Sequence, residues 1–321
     1  MKKMIALLLT LMLVLSAAAF ANAQTTPAYR VGIIQMADNG AFTDMREGYI
    51  ARMQELGYTD DVMTFDYQNA QGDMSNLASI CQKMIDANMD YVVAIATPPA
   101  QAFLNMGSDI PMFFISVSNP VGAGIITDMA KPDQNATGAS NAIPVDEMFK
   151  LSDRLTPGVQ TYGLIYCTSE VNSVTTIEKA KAYMDANGLS YVEAVVTNSG
   201  EVQQAAQSLV GRCDAMFIPN DSVVQTGLPA VAEVAIDAKI PVYGSSAVMV
   251  ASGAFATISI SDTQIGRIVA DMSGLYLSGT PIEQIPAVVV SEFTMVLNQT
   301  TADAIGVTLS DDVLAQAIIL E

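Results

Sequence analysis

The sequence YRVGIIQ at Tyr29–Gln35 is a short apolar run that begins a pattern repeated along most of the chain. After it, apolar residues recur at steps of three and four, at Phe42, Met45, Tyr49, Met53 and Leu56. Side chains with this spacing share one face of a helix, whereas a short apolar run is typical of a buried strand. This stretch therefore predicts a strand followed by an amphipathic helix.

The same unit recurs in two successive series. In the first series, apolar runs predict further strands at Val62–Tyr67, Tyr91–Ala96 and Met112–Ile115. In the second, they predict strands at Tyr162–Tyr166, Leu189–Val196, Ala215–Ile218, Pro241–Tyr243 and Ala254–Ile260. The main later helices are predicted at Val145–Leu155, Val174–Asn187, Val202–Val210, Val223–Asp237 and Asp262–Leu277. Two last strands are predicted at Ala287–Glu292 and Thr294–Leu297.

Strand–helix–strand alternation indicates an α/β fold, because parallel strands need a crossover that is usually a helix. Two series predict two similar lobes, which the chain connects by crossings near Ala136–Ala142, Ala256–Asp262 and Ile285–Ser291. The predicted division places residues 27–140 and 262–286 in lobe 1. It places residues 141–261 and 287–321 in lobe 2.

The first 23 residues have the layout of a secretory signal peptide. Lys2 and Lys3 precede the apolar segment Ile5–Leu15, and Ala21–Ala23 offers a small-residue cleavage site. No cysteine follows the apolar segment, so we expect no lipid anchor. These features predict export through the inner membrane to an extracytoplasmic compartment, with a periplasm favoured because a protein without an anchor is retained there.

Composition excludes several classes of function. The 321 residues contain 14 Lys and Arg, 33 Asp and Glu, and no His, which gives a formal net charge of −19. Without His there is no imidazole base, His-based triad or His metal site, and a strongly acidic surface repels nucleic acid. The cysteines Cys81, Cys167 and Cys213 form no C-x-x-C pair, so we expect no metal site.

Motifs of catalysis and of cofactor binding are also missing from the sequence. It contains no G-x-S-x-G elbow and no G-x-G-x-x-G after a predicted strand, so we expect no cofactor and no enzymatic activity. Asp38, Glu170 and Asp221 are the acids that could pair as a general acid and base, but their spacing gives no sign that two of them meet. Of the functions considered, that of a secreted hydrolase is therefore the least favoured.

Polar residues gather where the predicted strands end. They are Gln35 in the first series, then Thr97, Ser116, Ser118 and Asn119, and in the second series Ser169, Asn172, Asn220, Asp221 and Ser245, with Gly244 as a further candidate beside Ser245. In open α/β sheets, ligands bind outside the carboxyl ends of the strands, which predicts one polar cleft. Capping of the helices that follow is the alternative role for each Ser, Thr, Asn or Asp.

The charge of these loops indicates the kind of ligand. They contain no Lys or Arg, and a phosphate, sulfate or dicarboxylate usually binds an Arg fork. The acid Asp221 suits an ammonium group, and the free N–H groups of helix N-termini suit a carboxylate. Together these features favour a zwitterion such as an amino acid. Sugar sites often use flat aromatic platforms, and the chain has no Trp.

Seven short fragments, in this order and spacing, carry a resemblance to a known family. They are Val31–Gln35, Ala96–Pro98, Ser118–Gly124, Thr137–Asn141, Ser169–Ser173, Pro219–Asp221 and Ala238–Gly244. With them the chain resembles the substrate-binding proteins of ABC importers, in the branch associated with tryptophan and tyrosine transport. The resemblance covers nearly all of the chain after the predicted signal peptide.

The resemblance implies a type I periplasmic-binding fold, in which two Rossmann-like lobes close on a small ligand by a hinge motion. Carried over by position, Asp221 would hold the α-ammonium of an aromatic or hydrophobic amino acid. Thr97, Ser118, Ser169 and Asn172 would line the polar end, Gln35 and Phe42 would lie beside the ligand side chain, and Asn119 and Asn141 would lie near the cleft.

The resemblance also implies partners. The receptor would deliver its ligand to an ABC permease in the membrane, and we expect it to act as a monomer. Two alternatives stay open: a sensor that presents its ligand to a membrane receptor, and a receptor for a different small solute, such as a sugar or a nucleoside.

Overall fold

The computed structural model describes residues 28–142 and 144–321. The predicted signal peptide lies outside these residues. The strands are β1 (Tyr29–Gln35), β2 (Met63–Asn69), β3 (Tyr91–Ile95), β4 (Met112–Ile115), β5 (Ala136–Ser140), β6 (Thr161–Cys167), β7 (Ser190–Val196), β8 (Ala215–Phe217), β9 (Val242–Tyr243), β10 (Ala256–Ser259), β11 (Val288–Val289), β12 (Thr294–Asn298) and β13 (Ala317–Leu320).

The helices cover the sheets and connect their strands. They are α1 (Gly40–Glu55), α2 (Ser75–Asp86), α3 (Thr97–Asn105), α4 (Val145–Leu155), α5 (Val171–Ala186), α6 (Val202–Leu209), α7 (Ser222–Thr226), α8 (Leu228–Asp237), α9 (Ala247–Ala251), α10 (Asp262–Leu277), α11 (Gln299–Ile305) and α12 (Asp311–Leu314). Short 3₁₀ turns lie at Ser199–Glu201 and Ile282–Gln284.

Two sheets form the centres of two lobes. The first has six strands in the order β11-β5-β4-β3-β1-β2, and every pairing in it is parallel. The second has seven strands in the order β13-β12-β10-β9-β8-β6-β7. Its pairings are parallel except that between β10 and β12. The expected α/β architecture with two parallel sheets is confirmed.

The chain passes between the sheets after β5, after β10 and after β11. The last passage corrects the boundary expected at residue 287, because Val288 and Val289 pair with Ala139 and Ser140 of the first sheet. Lobe 2 therefore resumes after Val289. The apolar run that predicted this strand has no feature that tells which of two sheets it joins. The rest of the division into lobes stays a prediction.

Several elements differ from the sequence-based expectation, among them β5, which lies where only a crossing between the lobes was expected. The single helix predicted over Val223–Asp237 is two helices, because α7 ends at Gly227 and α8 starts anew with Pro229 in its first turn. Proline has no N–H to continue the helical ladder, so it is tolerated at a helix start and breaks a helix interior. The strand predicted over Ala287–Glu292 is only two residues long, and β13 was not predicted.

Helices α1 and α10 pack together with their backbones in direct contact. A Cβ atom at Gly48 would overlap the Thr263 carbonyl oxygen, and one at Gly266 would overlap the Met45 carbonyl oxygen. Only glycine allows two helix backbones to approach so closely. This contact holds α10, which the chain enters directly from β10 of the other sheet, firmly on lobe 1.

Replacing Gly266 by Ala is expected to lower the free energy of unfolding by about 1–3 kcal/mol, because the added methyl group meets backbone that cannot give way. The matched control is Gly274→Ala on the same helix. There the new Cβ would lie 3.1 Å from the Leu56 Cδ1 atom, which ends a flexible side chain. Urea denaturation measures both changes, and equal losses would contradict the proposed backbone contact.

Candidate functional site

A cavity of about 510 Å³, including its opening to solvent, lies between the two lobes. The ends of strands from both sheets lead into it. Nine residues singled out from the sequence line it: Phe42, Thr97, Ser116, Ser118, Asn141, Asn172, Asn220, Asp221 and Ser245. These residues come from distant parts of the chain, and the cavity is where the fold brings them together.

Two predicted residues are turned away from the cavity. The buried Gln35 side chain donates from Nε2 to the Ala37 carbonyl oxygen at 2.6 Å and accepts from Arg46 at 3.2 Å. It therefore stabilises the loop after β1, and Gln35 is not among the residues that line the cavity. Ser169 is exposed, because the turn between β6 and α5 carries it to the surface.

Two others lie near the cavity without lining it. Asn119 accepts a hydrogen bond from the Gly122 N–H at 2.9 Å, which closes a turn, and it lines a neighbouring groove together with Ser118. Gly244 packs against the Met249 side chain, and a Cβ there would lie 2.8 Å from the Met249 Cβ. Gly244 therefore serves close packing at the end of β9.

Asp221 lines the cavity, yet backbone groups use both of its carboxylate oxygens. Oδ2 accepts from the Cys167 N–H at 2.6 Å, and Oδ1 accepts from the Val223 and Val224 N–H groups at 3.0 and 2.9 Å. Asp221 thus caps the start of α7, which is the alternative role expected from the sequence for an Asp at the end of a strand. Its role as the partner of a ligand ammonium stays a prediction.

Glu170 lies buried beside Asp221 and binds the same helix start. Its carboxylate accepts from the Ser222 N–H at 3.1 Å and from the Asn172 side-chain amide at 3.4 Å. Burial raises the pKa of Glu170 to about 8, and the neighbouring Asp221 carboxylate adds to the shift. Two of the acids considered for catalysis are therefore neighbours, but their oxygens are turned to backbone N–H groups.

Among the cavity residues that were not singled out from the sequence are two with long or charged polar side chains, Gln225 and Asp262. Gln225 lies within α7, and Asp262 is the first residue of α10. Asp262 is partly buried, and burial raises its pKa to about 7, with the nearby Asp44 carboxylate adding to the shift. No sequence signal separates Gln225 from ordinary helix residues. An acid that opens a helix just after an interlobe crossing is the feature that could have drawn attention to Asp262.

Two buried side-chain atoms at the cavity have no hydrogen-bond partner among residues 28–142 and 144–321. They are the Asn172 Oδ1 atom and the Gln225 Nε2 atom. The other atoms of both amides are bonded: Asn172 Nδ2 donates to the Asn220 carbonyl at 2.7 Å, and Gln225 Oε1 accepts from Ser246 at 3.1 Å. A buried polar atom without a partner is costly, so one acceptor and one donor are available to a ligand.

The backbone at the cavity is strained in two places. Ala96, at the end of β3, has φ 81° and ψ 165°, and Ser116, at the end of β4, has φ 63°. Ala96 lies in a region that is occupied essentially by glycine, and such conformations cost of order 1–3 kcal/mol each. Strained residues cluster at ligand sites, and both of these line the cavity.

The cavity has an apolar side and a polar side. Helix α1 contributes Ala41, Phe42 and Met45 from lobe 1, and the α7 segment of lobe 2 contributes Ser222 and Gln225. Its lining includes two acids and no Lys or Arg. Such a space suits a small molecule with an apolar body and a head that carries a positive charge.

Neither a metal cluster nor a spanning helix is found in the part of the chain that the structure describes. No group of three or more Cys, Asp or Glu side chains there could hold a metal ion. No helix in the same residues is both long and apolar enough to cross a membrane.

The profile of the family described as ABC transporter substrate binding protein matches residues 30–319. The chain belongs to this family. Substrate-binding proteins of ABC systems act outside the cytoplasm, bind a small molecule and work with a membrane permease. The resemblance drawn from the seven sequence fragments is thereby confirmed, and the fold is the type I periplasmic-binding fold.

Three proteins are similar to this chain over most of its length. A tyrosine-binding protein of Clostridioides difficile (strain R20291) is 34% identical over 276 residues, 86% of this chain and 80% of the relative. An ABC domain from Streptococcus pneumonia in complex with L-Trp superposes with a TM-score of 0.88 at 30% identity, covering 92% of this chain and 100% of that one. The ligand-free, open structure of a substrate-binding protein with adhesive properties from Clostridium difficile gives a TM-score of 0.70 at 32% identity, covering 91% and 99%.

The strain at Ala96 leads to a prediction about stability. Ala96→Gly is expected to raise the free energy of unfolding by about 1 kcal/mol, because glycine adopts this backbone conformation without the steric cost. The control Ala94→Gly, at a fully buried position within β3, is expected to lower it by about 1 kcal/mol. Urea denaturation gives both values, and a loss of stability in Ala96→Gly would contradict the strain.

Glu170 is expected to make stability depend on pH. Between its ordinary pKa of 4.5 and its folded pKa of about 8, the unfolded chain releases the proton and the folded protein keeps it. Stability therefore falls as the pH rises through this window. Glu170→Gln should flatten that fall and be more stable than the wild type at pH 8, by roughly a few kcal/mol at most.

Denaturation at several pH values measures this effect, and the exposed Glu178→Gln on α5 is the control. That variant should keep the wild-type pH profile. Parallel profiles for the wild type and Glu170→Gln would disprove the raised pKa.

Proposed function

We propose that this protein is the receptor of an ABC importer for an aromatic or other hydrophobic amino acid, which it binds by closure of its two lobes. The observation that carries the proposal is the comparison of the two superpositions. At nearly equal identity, the TM-score is 0.88 with the tryptophan complex and 0.70 with the ligand-free open structure. The lobes of this protein are therefore arranged more like the former, with the cavity between them.

The lining of the cavity supports an aromatic or hydrophobic amino acid. Phe42 and Met45 offer apolar surface to a side chain, while Asn172, Gln225 and Asp262 offer polar atoms to the head group. Burial of an aromatic side chain removes about 150–250 Å² from water, which corresponds to about 4–6 kcal/mol at 25 cal/mol per Å². Both the apolar and the polar contacts form fully only when the lobes are closed.

Closure also explains how the receptor would work with its permease. A ligand that contacts both lobes favours the closed form, since only that form makes all of the contacts. The permease then recognises the closed, loaded receptor. We propose that the protein acts in this way as a monomer without catalytic activity, in the periplasm or an equivalent extracytoplasmic space.

The test is isothermal titration calorimetry with free L-tryptophan, L-tyrosine, L-phenylalanine and L-leucine, beside D-glucose, D-ribose and adenosine. The protein is first unfolded and refolded, to remove any molecule that co-purifies. At least one of the amino acids should bind with a Kd in the micromolar range or below, and the sugars and the nucleoside should not. If a sugar or adenosine binds and none of the amino acids does, the proposed ligand class is wrong.

A further inference from the structure

The cavity lining offers an opposite charge to only one of the two charged groups of an amino acid. Two carboxylates, Asp221 and Asp262, line it, and no Lys or Arg does. A ligand ammonium can therefore meet an opposite charge, whereas a ligand carboxylate meets only neutral donors. Charge-assisted hydrogen bonds are roughly twice as strong as neutral ones, so the ammonium is the better recognised group.

The two acids differ in how far their oxygens are already used. Asp221 accepts three backbone N–H groups at 2.6, 3.0 and 2.9 Å and is 2% exposed. Asp262 accepts no hydrogen bond from residues 28–142 and 144–321, and it lines the cavity next to the apolar residues of α1. Asp262 is therefore the carboxylate with free acceptor capacity.

The position of Asp262 follows from the packing of α10. The contact of Gly48 and Gly266 holds the first turn of α10 against α1. Asp262 begins that turn, directly after the chain has left β10 of the second sheet. Its carboxylate thus belongs to lobe 1 and lies at the crossing between the lobes.

The unpartnered amide atoms of lobe 2 complete the arrangement. The hydrogen bond from Asn172 Nδ2 to the Asn220 carbonyl leaves the Asn172 Oδ1 acceptor free. The Ser246 hydroxyl accepts from the Met249 N–H at 3.2 Å and donates to Gln225 Oε1, which leaves the Gln225 Nε2 donor free. Lobe 2 therefore offers an acceptor that suits an ammonium and a donor that suits a carboxylate.

We propose that the ligand's ammonium group bridges the lobes, from Asp262 of lobe 1 to Asn172 Oδ1 of lobe 2, while Gln225 Nε2 donates to its carboxylate. A free ammonium is then required for binding, and a negative charge on the carboxylate is dispensable. This assignment rests on the proposed function and names the groups that carry its specificity. It moves the main ammonium contact from Asp221 to Asp262.

Calorimetry with modified ligands separates the two charges. The probes are L-tryptophan and L-tyrosine, their α-carboxamides, which keep the ammonium and have a neutral head carbonyl, and their N-acetyl derivatives, which keep only the carboxylate. The carboxamides should bind within about tenfold of the free amino acids. The N-acetyl derivatives should bind at least about 100-fold more weakly, as expected for loss of a charged hydrogen-bonding group.

The outcomes are distinct. If the N-acetyl derivatives bind as well as the free amino acids, or better than the carboxamides, the ammonium assignment is wrong and the proposed function stands. If none of the four free amino acids of the first titration binds and neither carboxamide does, the proposed function fails and the assignment fails with it.

Two matched variants test the residue itself. Asp262→Asn should weaken binding of the free amino acid by about tenfold or more and also shrink the discrimination against the N-acetyl derivative. Asp44→Asn, which removes an exposed carboxylate of α1, should change the Kd by less than about threefold. If Asp262 has only a structural role, Asp262→Asn will weaken the binding of all probes by the same factor. The assignment is overturned if Asp262→Asn keeps the wild-type melting temperature and still discriminates against the N-acetyl derivative as strongly as the wild type does.

Discussion

The direct backbone contact between α1 and α10 is the constraint on which the site depends. Gly48 and Gly266 let the two helices meet without intervening side chains, so α10 is held on lobe 1 although the chain enters it from a strand of lobe 2. Side chains at this place, including that of Asp262, are therefore attached to lobe 1 and lie close to lobe 2. A looser helix pair would leave this carboxylate without a defined position at the cavity.

The second lobe contributes a polar surface built around the start of α7. Glu170 and Asp221 accept the free N–H groups of this short helix, and Gln225 on the helix and Asn172 beside it face the cavity. The acids thus hold the helix start in place, and the neutral amides carry the free hydrogen-bonding atoms. This division explains why an acid at the end of a strand is not automatically the group that touches a ligand.

Closure of the lobes joins the two halves of the site. The apolar surface of Phe42 and Met45 belongs to lobe 1, and the free amide atoms belong to lobe 2. Neither lobe alone encloses a ligand, so the full set of contacts forms only in the closed form. The strained residues Ala96 and Ser116 lie at the same place, directly after the last residues of β3 and β4.

The sequence by itself determined the element types and most of their bounds. The segments Met112–Ile115, Val145–Leu155 and Asp262–Leu277 were predicted with the bounds that the structure has. Local periodicity is enough for this, because a buried face must repeat with the period of its element. The rule that ligands bind at the strand ends selected seven of the nine predicted residues that line the cavity, and the family resemblance added Phe42 and Asn141.

Tertiary structure alone decided which of these polar residues are free to act. Gln35, Ser169, Asn119 and Gly244 follow strands as the others do, but hydrogen bonds, turns and packing with distant residues direct them elsewhere. The sheet that β11 joins and the place of Asp262 likewise follow from contacts between residues far apart in the chain. A local pattern tells which face of an element is buried. Which hydrogen-bonding atoms stay unpaired depends on every neighbour in space, and only the folded chain assembles those neighbours.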